Sequence, residues 1–265
     1  MSGVLFKKEL KSNFLLFVIF VGVLLMYAAT IIYMFDPEMA DSLRQMTDSM
    51  PELFAAFGMA TVGENLLEFV SNYLYGMIFL AFPAVHLVIL GKRLVAGYVD
   101  DGSMAYLLAT PKKRARIAWT QGVVMLVTCV LTVAVVAAAM AFLAEGLFPG
   151  ELDMEGFLRV NVCWLGVLVF FGGICFLCSC IFNQSRHAVG CSAAVVVYAI
   201  LLQMLSQVGE SLEKLRYLTP LTLFDIDGLV AGTAAAWFGC VIFYAAGAAC
   251  MAAGVVCFNR KNLPL

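Results

Sequence analysis

The stretch KRLVAGYVDDGSMAYLLATPKKRAR, residues 92 to 116, separates two long apolar runs and carries six of the sixteen Lys and Arg residues of the chain. Basic residues concentrate in the cytoplasmic loops of membrane proteins, so this stretch indicates which way the neighbouring runs cross a bilayer. It is also compact and patterned, as a loop that binds a cytosolic partner is expected to be.

The composition of the whole chain is that of a membrane protein. Of the 265 residues, 63% are hydrophobic and 13% are charged, and the mean hydropathy is +0.96, far above the averages of soluble domains. Six apolar runs reach the roughly 20 residues that a helix needs to span the hydrocarbon core. They cover about residues 14–35, 69–90, 117–143, 157–182, 188–208 and 237–258. These runs predict an all-α integral membrane protein with one domain over residues 1–265.

The distribution of charge along the chain predicts its orientation. Twelve Lys and Arg residues fall on the side that holds both termini and residues 92–116, and four fall on the other side, namely Arg44, Arg159, Lys214 and Arg216. Of the 18 acidic residues, 15 lie on that other side. Because basic residues favour the cytoplasm, both termini are expected there.

Two short segments are predicted to lie at the membrane surface or to enter it only partly. Residues 2–11 mix three lysines with apolar side chains, which predicts an amphipathic helix in the headgroup layer. Ser12 and Asn13 then offer a cap for the first span. Residues 221–230, which follow Pro220, are too few to cross a bilayer and predict an interfacial or re-entrant segment between spans five and six.

The nine cysteines all fall inside apolar runs, which predicts packing between helices and no structural disulfide. The closest group, Cys175, Cys178 and Cys180, has no acidic residue or histidine within its span, so it is not expected to bind a metal.

His86, near the inner end of the second span, allows two interpretations. An ionisable group within a span is a candidate proton relay or ligand. His86 lies near a span end, however, and has no obvious partner in the sequence, so a structural role is favoured. Pro83, three residues earlier, is expected to bend the same span.

Within residues 92–116, the pattern predicts a short amphipathic helix. Asp100 or Asp101 can cap it, and Gly102 permits a tight entry. Apolar side chains then follow at positions i, i+3 and i+4 of one face, namely Met104, Leu107 and Leu108. This face either docks a partner or packs on the ends of the protein's own spans, and periodicity does not separate the two.

The residues after this short helix are suited to the membrane surface. Pro111 fits the first turn of the third span. Four basic side chains near the start of that span can reach lipid phosphates, namely Lys112, Lys113, Arg114 and Arg116.

The chain has no recognisable means of using ATP itself. No G-x-x-x-x-G-K-[ST] phosphate-binding pattern occurs in it. The span centres also lack the Asp, Glu, Lys and Arg residues that a proton or ion relay would need. If the chain moves a substrate uphill, the energy is expected to enter from another subunit.

Five segments of the chain resemble the membrane permease subunit of bacterial ABC transporters of the ABC-2 (type V exporter) class. They are the basic amino terminus, an outer loop with a Pro-led helix at Pro51, DGSMAYLLATPKKR at residues 101–114, YLTPLTLFDIDGLVAG at residues 217–232, and the tail FNRKNLPL at residues 258–265. Together they extend over nearly the whole chain, and the six-span layout with both ends inside agrees with the resemblance.

In that family the loop between spans two and three forms a coupling helix, which docks on a nucleotide-binding ATPase subunit. The resemblance implies this coupling role for Asp101, Gly102, Ser103, Met104, Leu107, Leu108, Pro111 and Arg114. Asp100 and Asp101 stand where many relatives carry glutamates, and Lys113 stands where a small residue is common.

The resemblance further implies an exporter in the bacterial cytoplasmic membrane, built from two permease subunits on a pair of ATPases. The second permease would be a copy of this chain or a paralogue. ATP would bind to the partner ATPase subunit, and this chain would hold no cofactor and no nucleic acid. The sparse charge within the spans favours an apolar or amphipathic substrate.

Two other functions fit parts of the sequence. A membrane anchor or sensor would use the same loop to hold a cytosolic protein without transport. An intramembrane enzyme could use Ser179 or a cysteine as nucleophile and His187 as base. The spans contain no G-x-S-x-G elbow, H-E-x-x-H pair or acidic dyad, so the permease is favoured.

Overall fold

The computed structural model describes residues 3–35, 49–50, 65–110, 113–207 and 217–261. The predicted helix after Pro51, Pro111 itself and the end of the tail lie outside these residues.

Six helices among the described residues are long and apolar enough to cross a membrane. In chain order the elements are α1 Gly3–Tyr33, α2 Leu66–Val70, a π-helical turn Ser71–Tyr75, α3 Ile78–Gly91, a second π-helical turn Lys92–Ala96, α4 Gly97–Asp100, α5 Met104–Leu108, α6 Arg114–Leu147, α7 Met154–Ile181, α8 Ser185–Ser206, a 3₁₀ turn Pro220–Leu223, α9 Ile226–Val230 and α10 Ala234–Arg260. The spans are α1, α3 continued to α4, α6, α7, α8 and α10. The predicted all-α, six-span architecture is confirmed. The end of the bundle that carries α5 is called the inner end here, and the opposite end the outer end.

The amino terminus forms the first turns of α1 rather than a separate helix. The break predicted at Ser12 and Asn13 is wrong, because α1 runs without interruption for 31 residues, roughly 46 Å. Asn13 does not cap a helix; its Nδ2 donates to the Glu9 carbonyl oxygen at 2.9 Å, within the helix. Leu5, Glu9 and Asn13 are buried along one face, so packing extends the helix inward beyond the thickness of a bilayer.

α7 is the central helix of the bundle. It is the most buried of the six spans and contacts α3, α6, α8 and α10, the last most extensively. A Cβ added to Gly173 would lie 2.6 Å from the Gly247 carbonyl oxygen, and one added to Gly247 would lie 2.7 Å from that of Val169. Only glycine fits such a crossing, so α7 and α10 meet at backbone contact.

Trp164 of α7 compensates for a proline inside α3. Pro83 has no amide hydrogen to donate to the Phe79 carbonyl, which a bilayer would leave without a partner. Trp164 Nε1 donates to that carbonyl oxygen at 2.7 Å, and the indole stacks on the Phe79 ring with centroids 4.6 Å apart. α3 therefore continues across Pro83, from Ile78 to Gly91.

Residues 217–233 lie beside the outer turns of α8 and α10. Thr219 Oγ1 donates to the Ala199 carbonyl oxygen at 3.0 Å. Ala199 is seven residues, roughly 10 Å, from the end of α8. Gly239, five residues after α10 begins, faces the Leu223 carbonyl so closely that an added Cβ would clash with it. Residues 217–233 therefore pack against both spans, and the interfacial or re-entrant segment stays a prediction.

Trp164→Phe is expected to lower the free energy of unfolding by about 1–3 kcal/mol, because the buried Phe79 carbonyl would lose its donor. Pro83→Ala restores an amide that can bond the same carbonyl, so Trp164→Phe should cost less in the Pro83→Ala background. A double-mutant cycle of thermal unfolding in detergent measures this difference. Equal costs in the two backgrounds would mean that the indole does not serve this carbonyl.

Candidate functional site at the inner junction

The inner junction comprises residues 91–110 and the side chains that contact them. The turn between α4 and α5 contains Gly102, whose φ is +75°. Glycine adopts this conformation at little cost. Asp101 Oδ1 accepts hydrogen bonds from the Ser103 amide at 2.9 Å and the Ser103 hydroxyl at 2.6 Å. These bonds lower the pKa of the Asp101 carboxyl below its ordinary value. The tight entry predicted at Gly102 is therefore present.

The prediction that Asp100 or Asp101 caps the short helix is wrong. Ser103 precedes α5, and its side chain makes no capping bond. Asp101 is engaged in the turn, while Asp100 Oδ2 accepts from the Ser185 amide at 3.2 Å. Asp100 therefore caps the first turn of α8, where a carboxylate is favoured by the free amides and the helix dipole.

α5 turns its apolar face toward the bundle. Met104 is buried, and Leu107 and Leu108 are half-buried against the hydrophobic core. Tyr106 is 82% exposed. The face predicted from periodicity thus packs on the protein's own spans, and the large side chain that α5 offers to solvent is an aromatic one.

A hydroxyl from α7 holds open the π-helical turn Lys92–Ala96. The Ala96 amide donates to Ser179 Oγ at 2.8 Å, and Ser179 Oγ donates to the Gly91 carbonyl oxygen at 2.6 Å. One hydroxyl thus bridges the two backbone groups at the ends of the widened turn. Because the buried Ser179 hydroxyl both donates and accepts, its environment argues against a nucleophile.

Arg114 and Lys261 tie together the inner ends of α6, α7 and α10. Arg114 Nη1 donates to the Lys261 carbonyl oxygen at 3.3 Å. Lys261 Nζ donates to the carbonyl oxygens of Phe182 at 2.7 Å and Cys180 at 3.1 Å, at the end of α7. A cation suits this carbonyl end of a helix, although burial lowers the pKa of Lys261. Arg114 is therefore engaged within the protein.

A polar cluster joins α4 to the inner turns of α1. Tyr98 Oη donates to Glu9 Oε1 at 2.6 Å, and Lys8 Nζ donates to Tyr98 Oη at 3.2 Å. One turn further along α1, Asn13 Oδ1 accepts a longer hydrogen bond, 3.5 Å, from Arg93 Nη1. Glu9 is buried in this cluster.

Of the predicted coupling residues, Pro111 lies outside the described residues and the others have distinct places. Asp101, Gly102 and Ser103 form the turn, Met104, Leu107 and Leu108 pack α5 on the bundle, and Arg114 lies at its base. Sequence reasoning missed Glu9, Tyr98, Tyr106 and the role of Ser179. Glu9 had one signal, because it shares an i, i+4 face with Leu5 and Asn13.

His86 packs against aromatic rings of α1. Its ring stacks on Phe20 with centroids 5.1 Å apart, and its centroid lies 6.4 Å from that of Phe17. The side chain is buried, and its Nε2 has no hydrogen-bond partner among the described residues. The ring contacts favour the structural interpretation of His86.

The nine cysteines are free thiols, of which six are buried and three are partly buried. Cys178 of α7 and Cys191 of α8 have their Sγ atoms 3.8 Å apart and pack across the contact between these two helices. In the part of the chain that the structure describes, no group of three His, Cys, Asp or Glu side chains is arranged to hold a metal ion.

At the outer end, α9 has one aspartate that caps the helix and one whose pKa is raised. Asp225 Oδ1 accepts from an amide of the first turn of α9 at 3.1 Å and caps that helix. The pKa of Asp227 is raised, first by burial and then by the neighbouring carboxylates of Asp225 and Glu68. Arg159 Nη1 donates to a carbonyl oxygen at the end of α9 at 3.2 Å.

The fold and the inner junction define a class of protein, a six-span membrane protein that presents a short helix between its second and third spans. The model of the family described as ABC-2 family transporter protein matches residues 5–263, and the chain belongs to that family. The chain is therefore a membrane permease component of an ABC transporter and is not itself catalytic. The resemblance to the ABC-2 permease family is confirmed. The comparison with curated proteins finds no match.

Ser179→Ala is expected to lower the free energy of unfolding by about 1–3 kcal/mol, because the Gly91 carbonyl and the Ala96 amide lose their shared partner. Ser192→Ala is the matched control. Its buried hydroxyl donates to carbonyls of its own helix, at 2.8 Å to Ala188, so its loss should cost less. Thermal unfolding of both variants measures the difference, and similar losses would contradict the bridging role.

Asp227→Asn is expected to raise thermal stability at neutral pH, because it removes a carboxylate whose charge is disfavoured beside Asp225 and Glu68. With a raised pKa in the folded state, Asp227 binds its proton more readily there than in the unfolded chain. Its contribution to stability therefore falls as the pH rises through the folded pKa.

The gain from Asp227→Asn should accordingly shrink as the pH falls toward about 4, the ordinary pKa of aspartate. Asp225→Ala serves as the control of opposite sign, because loss of its helix cap should lower stability by about 0.5–2 kcal/mol. Unfolding curves recorded across this pH range test both expectations. A gain for Asp227→Asn that does not vary with pH would show that charge is not its cause.

Proposed function

We propose that this chain is the permease half of an ATP-driven exporter and that α5 docks on a separate nucleotide-binding ATPase subunit. The observation that carries the proposal is the anchoring of the segment that bears α5. Hydrogen bonds join this segment to α1 through Tyr98, to α7 through Ala96 and to α8 through Asp100. A force applied to α5 would therefore act on three spans at once.

Tyr106 is the direct contact in this proposal. A tyrosine combines a large apolar ring with a polar tip, and such residues supply much of the binding energy at protein interfaces. Tyr106 is 82% exposed, whereas Met104 is buried. The half-buried Leu107 and Leu108 would orient α5 on the bundle rather than enter the partner.

The energy for transport would enter this chain through α5, with ATP bound by the partner subunit. A second permease, either another copy of this chain or a paralogue, would complete the pathway. A groove of about 390 Å³ between α3 and α8, lined by apolar side chains of both helices, supports an apolar or amphipathic substrate.

The proposed orientation has both termini and α5 in the cytoplasm of a bacterial cell, where an ATPase subunit has access to ATP. Lys92, Lys113 and Arg116 flank α5 in the chain and are exposed. Exposed basic residues on this side support the orientation, because they favour the cytoplasmic face of a membrane.

The test begins with co-purification of the tagged chain and its ATPase subunit from membranes in mild detergent. Tyr106→Ala is expected to reduce recovery of the ATPase at least about tenfold, because truncation of an interface hot spot costs about 2 kcal/mol or more. Thermal unfolding of the permease should stay unchanged, since Tyr106 is largely exposed.

Tyr217→Ala is the matched control, because Tyr217 is a 90% exposed tyrosine at the outer end. Its ATPase recovery should equal that of the wild type. Equal recovery of the ATPase with both variants would contradict the proposed contact at Tyr106. A wild-type chain that purifies without an ATPase would contradict the permease proposal. Substrate-stimulated ATP hydrolysis after reconstitution separates a transporter from an anchor or sensor, which has no reason to show it.

A further inference from the structure

The inner junction contains a buried carboxylate that the docking of α5 does not explain. Glu9 of α1 is 2% exposed, and among the described residues it is the only Asp, Glu, Lys or Arg that is buried. A buried charged group costs free energy unless its partners replace the water that it loses. The partners of Glu9 therefore indicate whether its hydrogen bonds are permanent or exchange during function.

Among the described residues, the hydrogen bonds that the Glu9 side chain accepts both end on one of its two oxygens. Tyr98 Oη donates at 2.6 Å and Gln121 Nε2 of α6 reaches 3.5 Å, both to the same oxygen, Oε1. An ionised carboxylate can accept about four hydrogen bonds. Gln121 Oε1 is also buried, and it has no hydrogen-bond partner among the described residues.

Two cations lie beside this site but bond to its neighbours. Lys8 Nζ donates to Tyr98 Oη at 3.2 Å and lies 5.1 Å from the centroid of the Tyr98 ring. Arg93 donates to Asn13 Oδ1 at 3.5 Å. Within the described ranges, neither cation forms an ion pair with Glu9.

Because both bonds end on Oε1, the Glu9 carboxylate has capacity to accept from a different donor. A movement of α4 that withdraws the Tyr98 hydroxyl would leave Glu9 free to accept from Lys8 or Arg93. Tyr98 lies six residues before the start of α5 at Met104, so a displacement of α5 acts on this bond over a short length of chain.

We propose that Glu9 is a positioning residue of the transport cycle. Its hydrogen bond from Tyr98 holds the inner turns of α1 against the segment that bears α5. Exchange of this bond for one from Lys8 or Arg93 passes a displacement of α5 to α1 and, through Gln121, to α6. The inference rests on the proposed docking of α5. The spans that respond are α1 and α6, and they respond through the Glu9 carboxylate.

The test is hydrogen exchange of the reconstituted complex with and without a non-hydrolysable ATP analogue. In the wild type, the analogue should change exchange both at residues 104–110, which include α5, and at residues 3–13, the inner turns of α1. Tyr98→Phe removes only the hydroxyl, and Glu9→Gln removes only the charge. In both variants the response of residues 104–110 should persist, while that of residues 3–13 should fall at least about fivefold.

Transport per ATP hydrolysed is a second readout, which a purely structural role would not move. This ratio should fall at least about fivefold in both variants, while ATPase recovery stays at the wild-type value and both variants remain folded at the assay temperature. The double variant should be no worse than either single one, because both substitutions break the same bond. Lys7→Gln, at an exposed position on the opposite face of α1, is the matched control and should behave as wild type.

The outcomes separate this inference from the docking proposal. An undiminished response of α1 in both variants overturns the role of Glu9 and leaves docking intact. A wild-type complex in which residues 104–110 do not respond to the analogue overturns docking and, with it, this inference. A loss of transport that only follows a loss of thermal stability identifies Glu9 as a folding residue and overturns the inference alone.

Discussion

A backbone amide or carbonyl inside a bilayer has no water to bond, so each departure from regular helix needs a partner from elsewhere in the protein. In this chain α7 supplies that partner twice. Trp164 donates to the carbonyl that Pro83 leaves free, and Ser179 bridges the ends of the π-helical turn Lys92–Ala96. α7, the central helix of the bundle, therefore stabilises the irregular second span.

The irregular end of the second span leads into α5, the helix that we propose docks on an ATPase subunit. The chain is a permease component of an ABC transporter, and in the proposed function the energy for its movement comes from an ATPase subunit. The segment that bears α5 is held to α7 and α8 by hydrogen bonds from the backbone amides of Ala96, at 2.8 Å, and Ser185, at 3.2 Å. Its contact with α1 is made to a buried carboxylate, Glu9, where the hydrogen bonds from Tyr98 and Gln121 both end on one oxygen. In the proposed cycle the bonds at Ala96 and Ser185 persist while the bond at Glu9 exchanges, so that the segment moves as a unit.

The amino-acid sequence by itself determined the six spans, because apolar runs of this length have few other stable environments. It also determined the tight turn at Gly102, where a positive φ favours glycine. The family followed as well, from motifs spread over nearly the whole chain. The break expected at Ser12 failed because the helix continued through residues whose side chains had partners along the same face.

Only the tertiary structure decided which of these residues meet. Periodicity placed Met104, Leu107 and Leu108 on one face of α5, but the bundle covered that face and left Tyr106 outside. Asp100 looked like a cap for the helix that follows it and instead caps α8, which begins 85 residues later. The physical reason is the same in each case: local pattern fixes which side chains share a face, whereas their partners come from helices distant in the chain, brought close by packing around α7.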